Sequence, residues 1–209
     1  MNQIDINSWE RKEHFEFFKD FKEPFFGIVA DINCTNAYKL CKENQVSFFS
    51  YYLHKSLKTV NEIEEFKYRI DGDKIIIYDK IHAAATIGRP DNTFAFTFIE
   101  YIDDFKEFNI KLQAEIKRVQ QTPGLFLYQD KTRKDVIHYS STPWLKFKGL
   151  THARNHTNGD STPLIVFGKL HEDNGNFKMP VAVNAHHALM DAYHVSQYYK
   201  KFEEELNAF

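Results

Sequence analysis

An apolar run, Val181-Ala182-Val183-Asn184-Ala185, leads directly into His186-His187-Ala188-Leu189-Met190-Asp191. Histidine is the side chain suited to taking a proton near neutral pH. If the apolar run is a strand, its neighbouring side chains point to opposite faces. One histidine then faces a cleft while the other packs. The chemistry this suggests is general-base activation of a weak nucleophile such as a hydroxyl. A metal centre built from His186, His187, Asp191 and His194 is the poorer reading, because adjacent histidines on a strand diverge and do not readily share one ion. His152 and His156 lie in a loop-like stretch, THARNHTNGD, and read as surface residues. Cys34 and Cys41 have no basic sequence neighbour to lower a thiol pKa, so they read as core or helix residues rather than nucleophiles. Neither GxGxxG nor GxxxxGK occurs, so no phosphate loop is expected, and no GxSxG elbow supports a serine hydrolase.

The elements that must position these residues alternate in type, which predicts a mixed α and β domain. Residues 9–20 read as a first helix with Ser8 as its N-cap. Phe25 to Ile32 is strand-like after Pro24. Residues 35–44 read as a helix capped by Thr35 or Asn36. Ser47 is expected to cap a longer helix through Val60, whose Phe49, Tyr52, Leu53, Leu57 and Val60 recur at helical spacing. A hairpin joins Glu65–Ile70 to Lys74–Tyr78 across Asp71-Gly72. Strands follow at 83–87 and 93–100, then a helix from Asp103 or Asp104 to about Val119 with a stripe of Phe105, Phe108, Leu112, Ile116 and Val119. Residues 121–134 read as loop, and Val136–Ser140 as a strand running towards Pro143. A second hairpin joins 163–170 to 178–185 across Asn174-Gly175, and a last helix covers about 194–207.

Composition sets the frame for these elements. The chain has 209 residues, 43% of them hydrophobic and 16% aromatic, with 20 Phe, which is enough for one large packed core and excludes global disorder. The formal net charge is −2, so no basic footprint for nucleic acid or for a membrane surface is present. Apolar runs fall well short of the ~20 residues that span a bilayer. The start, MNQIDINSWERKEHF, carries no apolar signal-peptide core, and two cysteines make no disulfide framework, so a cytoplasmic protein is expected. No repeat, low-complexity tract or linker divides the chain, and one domain over 1–209 is expected.

Three segments together resemble the chloramphenicol acetyltransferase family. His186-His187-Ala188-Leu189-Met190-Asp191-Ala192-Tyr193-His194-Val195 is similar to that family's HHxxxDGxHV signature, Trp9 to Phe15 to its WxRKEHF, and Ser140 to Trp144 to its SxxPW. The order and spacing agree, and the resemblance covers nearly the whole chain. Dihydrolipoyl acyltransferase domains and peptide-synthetase condensation domains share the HHxxxDG signature, but the first lack the WxRKEHF start and the second need a much longer chain.

The resemblance implies an α/β (α+β) fold, a mixed β-sheet covered by helices as a two-layer sandwich, assembled as a homotrimer with interface active sites. It implies direct transfer of an acetyl group from acetyl-CoA, a co-substrate rather than a permanently bound cofactor, to a hydroxyl of chloramphenicol. His187 would be the general base and the Ser140 hydroxyl the donor to the developing oxyanion. Arg11 and Asp191 would form a buried structural ion pair, whose rupture costs about 3–5 kcal/mol, and the His187 tautomer would be set by another acceptor such as its own carbonyl. Phe18, Phe26, Thr86, Phe94 and Phe96 would line the acceptor pocket, and Trp144 and Lys169 would lie on the cofactor side. No metal is implied.

The departures from the family pattern are specific. Ala192 replaces the family's glycine, at a cost of about 1 kcal/mol if that position needs φ > 0. Val166 stands where a threonine holds a transition-state water, Phe96 where alanine is usual, and Ala84 where glutamine is usual. Residues 148–162, expected to help form the neighbouring wall of the pocket, match hardly at all. These departures allow two alternatives: an acetyltransferase for a different small hydroxyl acceptor, or a catalytically weak trimeric ligand binder.

Overall fold

The computed structural model describes residues 1–125, 127, 133–154 and 159–208. In chain order its elements are β1 (Asn2–Gln3), α1 (Lys12–Phe18), β2 (Phe25–Asn33), α2 (Thr35–Glu43), α3 (Phe48–Glu62), β3 (Tyr68–Asp71), β4 (Lys74–Ile77), β5 (His82–Gly88), β6 (Phe94–Ile99), α4 (Phe105–Gln121), β7 (Val136–Ser141), β8 (Leu164–Phe167), β9 (His171–Asp173), β10 (Asn176–His186) and α5 (Ala192–Asn207). A 3-10 turn over Glu64–Lys67 links α3 to β3.

Helix starts follow side-chain chemistry. Ser47 accepts a hydrogen bond from Ser50 N at 3.3 Å and Asp104 one from Glu107 N at 2.7 Å, satisfying amide donors that the first helical turn leaves free. Two expected caps move. Ser8 caps nothing, because its hydroxyl turns back onto the Asp5 carbonyl oxygen at 3.2 Å and α1 begins at Lys12. Thr35 is already helical, and the Asn33 side chain receives both its N–H, at 3.0 Å, and its hydroxyl, at 2.7 Å.

The main sheet has the order β2-β10-β8-β7-β5-β6, with β9 pairing alongside β10, and β1, β4 and β3 form a small second sheet. It is mixed: β7 runs parallel to both β5 and β8, while the remaining pairs are antiparallel. Gly72, at φ +60°, closes the first hairpin, and Asn174 and Gly175, at φ 50° and 79°, close the second, the left-handed geometry tight hairpins require. The expected strand 163–170 is split. β8 stops at Phe167 because the backbone of 142–147 comes against Gly168, where a Cβ would sit 2.5 Å from the Pro180 ring and 2.8 Å from the Phe147 ring. Lys169 N then donates to Leu145 O at 2.9 Å instead of to a strand.

Period-two alternation sorts the sheet into two faces. Tyr139, Ile165, Phe167, Val181, Val183 and Ala185 point to the helical face and pack with Leu53 and Leu57 of α3 and Val195, Tyr198 and Phe202 of α5. Each such buried aliphatic or aromatic side chain contributes about 1.5–3 kcal/mol. The intervening residues of the same strands point to the other face, which no helix covers among the described residues and where Ser140 lies.

Candidate active site

The double histidine straddles the end of β10. His186 is its last residue, and His187 begins the turn, tied by its N–H to Pro24 O at 2.8 Å. The two side chains diverge. His186 is buried, edge-on to Phe25 at 5.1 Å, and its Nδ1 accepts from Ala188 N at 3.3 Å. His187 lies between Phe18, parallel at 4.1 Å and 5°, and Phe26, tilted at 4.7 Å. Its Nδ1 is buried without a hydrogen-bond partner among the described residues, so the expected tautomer-setting bond to a carbonyl is not present.

Arg11 Nη1 donates to Asp191 Oδ2 at 2.8 Å. The pair is less enclosed than expected, since the Asp191 side chain keeps 32% of its exposure, and this lowers the cost of breaking it below that of a fully buried pair. Asp191 has a second task. It caps α5, accepting from Tyr193 N at 2.9 Å, while its own N–H donates to His194 Nδ1 at 3.1 Å. Burial pushes its carboxyl up, but the hydrogen bonds from Arg11 and from the Tyr193 amide outweigh that and hold it below the ordinary carboxylate range. Ala192 opens α5 with no positive φ, so the glycine-to-alanine departure carries no conformational penalty. His194 is thus engaged with the helix cap, and among the described residues no group of three or more such side chains could hold a metal.

Ser140 lies near the end of β7, on the uncovered face. Ala84, Thr86, Phe96, His138, Ser140, Arg154, Asp160 and Leu164 border a cavity of about 250 Å³. Thr86 Oγ1 donates to Ser140 Oγ at 3.1 Å. Arg154 forms one wall: its guanidinium lies over the Phe25 ring at 3.5 Å and donates to Asn184 Oδ1 at 2.9 Å, Asp160 Oδ2 at 3.1 Å and Thr162 O at 3.0 Å. Burial pushes the His138 imidazole below its usual range, with Asp160 pulling the other way and Arg154 adding to the fall.

Sheet register measures the distance between the two halves of the site. Ser140 pairs with Val166, Val166 pairs with Ala182, and Ala182 lies five residues before His187. At ~3.3 Å per residue along a strand and ~4.8 Å between strands, Ser140 and His187 of one chain stand roughly 20 Å apart. The structure thus brings Arg11 to Asp191, Phe18 and Phe26 to His187, and Thr86 and Phe96 to Ser140, but it does not bring His187 to Ser140 within one chain. Phe94 stands against Phe96 at 5.4 Å, remains 47% exposed and does not border the cavity. Trp144, 76% exposed, and exposed Lys169 are held near each other at the end of β8 by the Lys169 N to Leu145 O bond. His156 lies outside the described residues, and His152 borders a separate surface depression with Leu150 and Asn184.

Sequence reading missed His138, Arg154 and Asp160. His138 was reachable, since it precedes Ser140 by two on one strand and so shares its face. Arg154 and Asp160 carry no local signal, because they come from loop segments with no periodicity.

The fold is first of the kind seen in a solved structure of a probable dihydrolipoamide acetyltransferase from Listeria monocytogenes, which superposes with a TM-score of 0.68 at 12% identity, covering 99% of this chain and 94% of that one. That likeness is one of fold alone. The family profile described as chloramphenicol acetyltransferase matches residues 1–203. A solved structure of a chloramphenicol acetyltransferase superposes with a TM-score of 0.89 at 33% identity, covering 98% of this chain and all of that one, 100%. Chloramphenicol acetyltransferase 3 of Escherichia coli is 23% identical over 207 residues, 99% of this chain and 97% of that protein, and chloramphenicol acetyltransferase 2 of Haemophilus influenzae is 25% identical over 199 residues, 94% and 92% of the two chains. The chain belongs to the chloramphenicol acetyltransferase family, and it is an acetyltransferase.

Proposed function

We propose that this chain transfers an acetyl group from acetyl-CoA to a hydroxyl of chloramphenicol, in active sites formed between the subunits of a homotrimer. One observation carries the reading: His187 and Ser140 of a single chain stand too far apart to act on one carbonyl. A general base and an oxyanion donor must both reach within about 3 Å of the reacting atoms. A second copy laying its β10 end over the Ser140 cavity brings the two halves together. Head-to-tail contacts of that kind close into rings, and the family resemblance supplies the number three.

In the assembled site, His187 Nε2 removes the acceptor hydroxyl proton, because Nδ1 is enclosed between Phe18 and Phe26. The alkoxide oxygen attacks the thioester carbonyl. Ser140 donates to the carbonyl oxygen as it gains charge, and collapse of the tetrahedral intermediate expels the thiolate, which recovers the proton from His187. Trp144 and Lys169 fit the acetyl-CoA side, and Phe18, Phe26, Thr86 and Phe96 the acceptor side. Phe94 would contribute through Phe96. The Arg11–Asp191 pair holds the first helix to the histidine turn. The chain works as one domain over 1–209, and two free buried cysteines suit the reducing cytoplasm.

A second reading is favoured by the cavity itself. Phe96 narrows it, and Arg154, Asp160 and His138 make one side polar. A smaller, more polar hydroxyl compound suits that wall better than an aryl group does. Thiol release from acetyl-CoA, measured with chloramphenicol and with a panel of small alcohols, tests both readings. Fast release with chloramphenicol supports the first, release only with small alcohols supports the second, and no release with any acceptor contradicts both.

A further inference from the structure

We infer, on the reading of the chain as an acetyltransferase, that Thr86 is a positioning residue that aims the Ser140 hydroxyl at the oxyanion. A serine hydroxyl has one hydrogen and two lone pairs. In the cavity, Thr86 Oγ1 donates to Ser140 Oγ at 3.1 Å, and this is the only side-chain hydrogen bond to Ser140 among the described residues. The bond occupies a lone pair of Ser140 and leaves its hydrogen free. Without such a partner, the Ser140 hydroxyl rotates freely, and its hydrogen points at the carbonyl only part of the time. The gain is preorganisation: a donor aimed before charge develops costs no reorientation during the reaction.

The placement of Thr86 is rigid for reasons visible in the backbone. β5 is an inner strand, paired with β6 on one side and β7 on the other, and Ala85 pairs with Tyr139, so Thr86 and Ser140 follow one step along adjacent strands and share the uncovered face. Threonine is β-branched and stiff about χ1, which makes its hydroxyl a steadier donor than a serine hydroxyl. The neighbour on the other side cannot substitute. Val166 pairs with Ser140 across β8 and brings only methyl groups. Among the described residues, the orientation of the Ser140 hydroxyl therefore depends on Thr86 of β5.

The test compares Thr86→Val, which keeps the shape and removes the donor, with Thr86→Ser, which keeps the donor. Each is measured alone and in a Ser140→Ala background, with melting temperature and oligomeric state recorded for every variant. The acceptor is whichever hydroxyl compound the wild type turns over. The expected result is a kcat loss of roughly 10- to 100-fold in Thr86→Val with little change in either KM. Thr86→Ser recovers most of that loss, and Thr86→Val adds nothing once Ser140 is alanine. An unchanged kcat in Thr86→Val overturns the inference. So does a loss confined to the acceptor KM, which marks Thr86 as a plain substrate contact, or an equal loss in the Ser140→Ala background. An unfolded Thr86→Val transfers the decision to Thr86→Ser and Thr86→Ala, where recovery by serine but not alanine is required. A wild type that releases no CoA with any acceptor removes the acetyltransferase reading and this inference together, and that outcome is distinct from an active enzyme indifferent to Thr86.

Discussion

The His187 ring lies flat on the Phe18 ring, with centroids 4.1 Å apart and planes 5° apart. No hydrogen bond from Nδ1 holds this imidazole among the described residues, so its plane is set by packing, Phe18 on one side and Phe26 at 4.7 Å on the other. Replacing Phe18 with alanine frees the ring to rotate. A kcat loss of about 10-fold or more is expected in Phe18→Ala, while Phe18→Tyr, which keeps the ring, stays within a few-fold of wild type. Steady-state kinetics of the two variants checks this, and equal activity of Phe18→Ala and wild type would show that stacking does not orient the base.

The two histidines should separate by phenotype. His187→Ala is expected to lose transfer activity by at least 10²- to 10⁴-fold while melting near the wild-type temperature. His186 is 4% exposed and packed on Phe25, so His186→Ala is expected to act chiefly on stability, by about 1–3 kcal/mol, through the cavity and the freed Ala188 amide. Thermal melts beside activity measurements distinguish the two, and the reverse pattern would exchange their roles.

Arg11 and Asp191 meet at 2.8 Å across a sequence separation of 180, so their mutations should couple. Each alanine substitution is expected to cost about 1–3 kcal/mol, with the double variant losing clearly less than the sum. The folded-state carboxyl pKa of Asp191 is depressed, so its contribution is present above the unfolded value near 3.9 and is lost as pH falls through the lower folded value. Arg11→Ala should therefore flatten the acid limb of the stability curve below about pH 4. Denaturant melts from pH 2 to 7 measure this, and an unchanged acid limb would mean that the pair contributes no linkage.

Much of this site was legible in the chain before its structure. The double histidine at a strand end, the divergence of its side chains and the helix caps at Ser47 and Asp104 follow from periodicity and from the needs of free amides. The split between β8 and β9 was not, because it depends on residues 142–147 arriving against Gly168 from well upstream in the chain. The polar cavity wall was hidden for a similar reason. Arg154 gains its meaning from Phe25, Asn184 and Asp160, which only the folded sheet assembles. Motif matching placed both Phe94 and Phe96 in the pocket; the two share one strand face, and the register sets Phe96 beside Thr86 and Phe94 opposite Gly88, where it is 47% exposed at the rim.

Phe96 borders the Ser140 cavity and narrows it. Phe96→Ala is expected to lower the KM for chloramphenicol by roughly 5- to 150-fold, the equivalent of relieving about 1–3 kcal/mol of overpacking. The KM for acetyl-CoA and the value of kcat should change little, because His187 and Ser140 are untouched. Kinetics with chloramphenicol as the varied substrate decides. An efficient wild type with an unimproved variant would mean that Phe96 does not restrict the acceptor.

The central claim is that one chain supplies the base and its neighbour the oxyanion donor. Mixing inactive chains tests it directly. Ser140→Ala and His187→Ala subunits, each inactive alone, are co-expressed with different tags and their mixed oligomers purified. A purified mixed trimer, whichever chain it holds twice, has one of its three interfaces with an intact histidine facing an intact serine, since each interface draws one residue from each neighbour. Recovery of about a third of wild-type turnover is the predicted result. Mixed oligomers as inactive as their parents would contradict the account, because the site would then be complete within each chain.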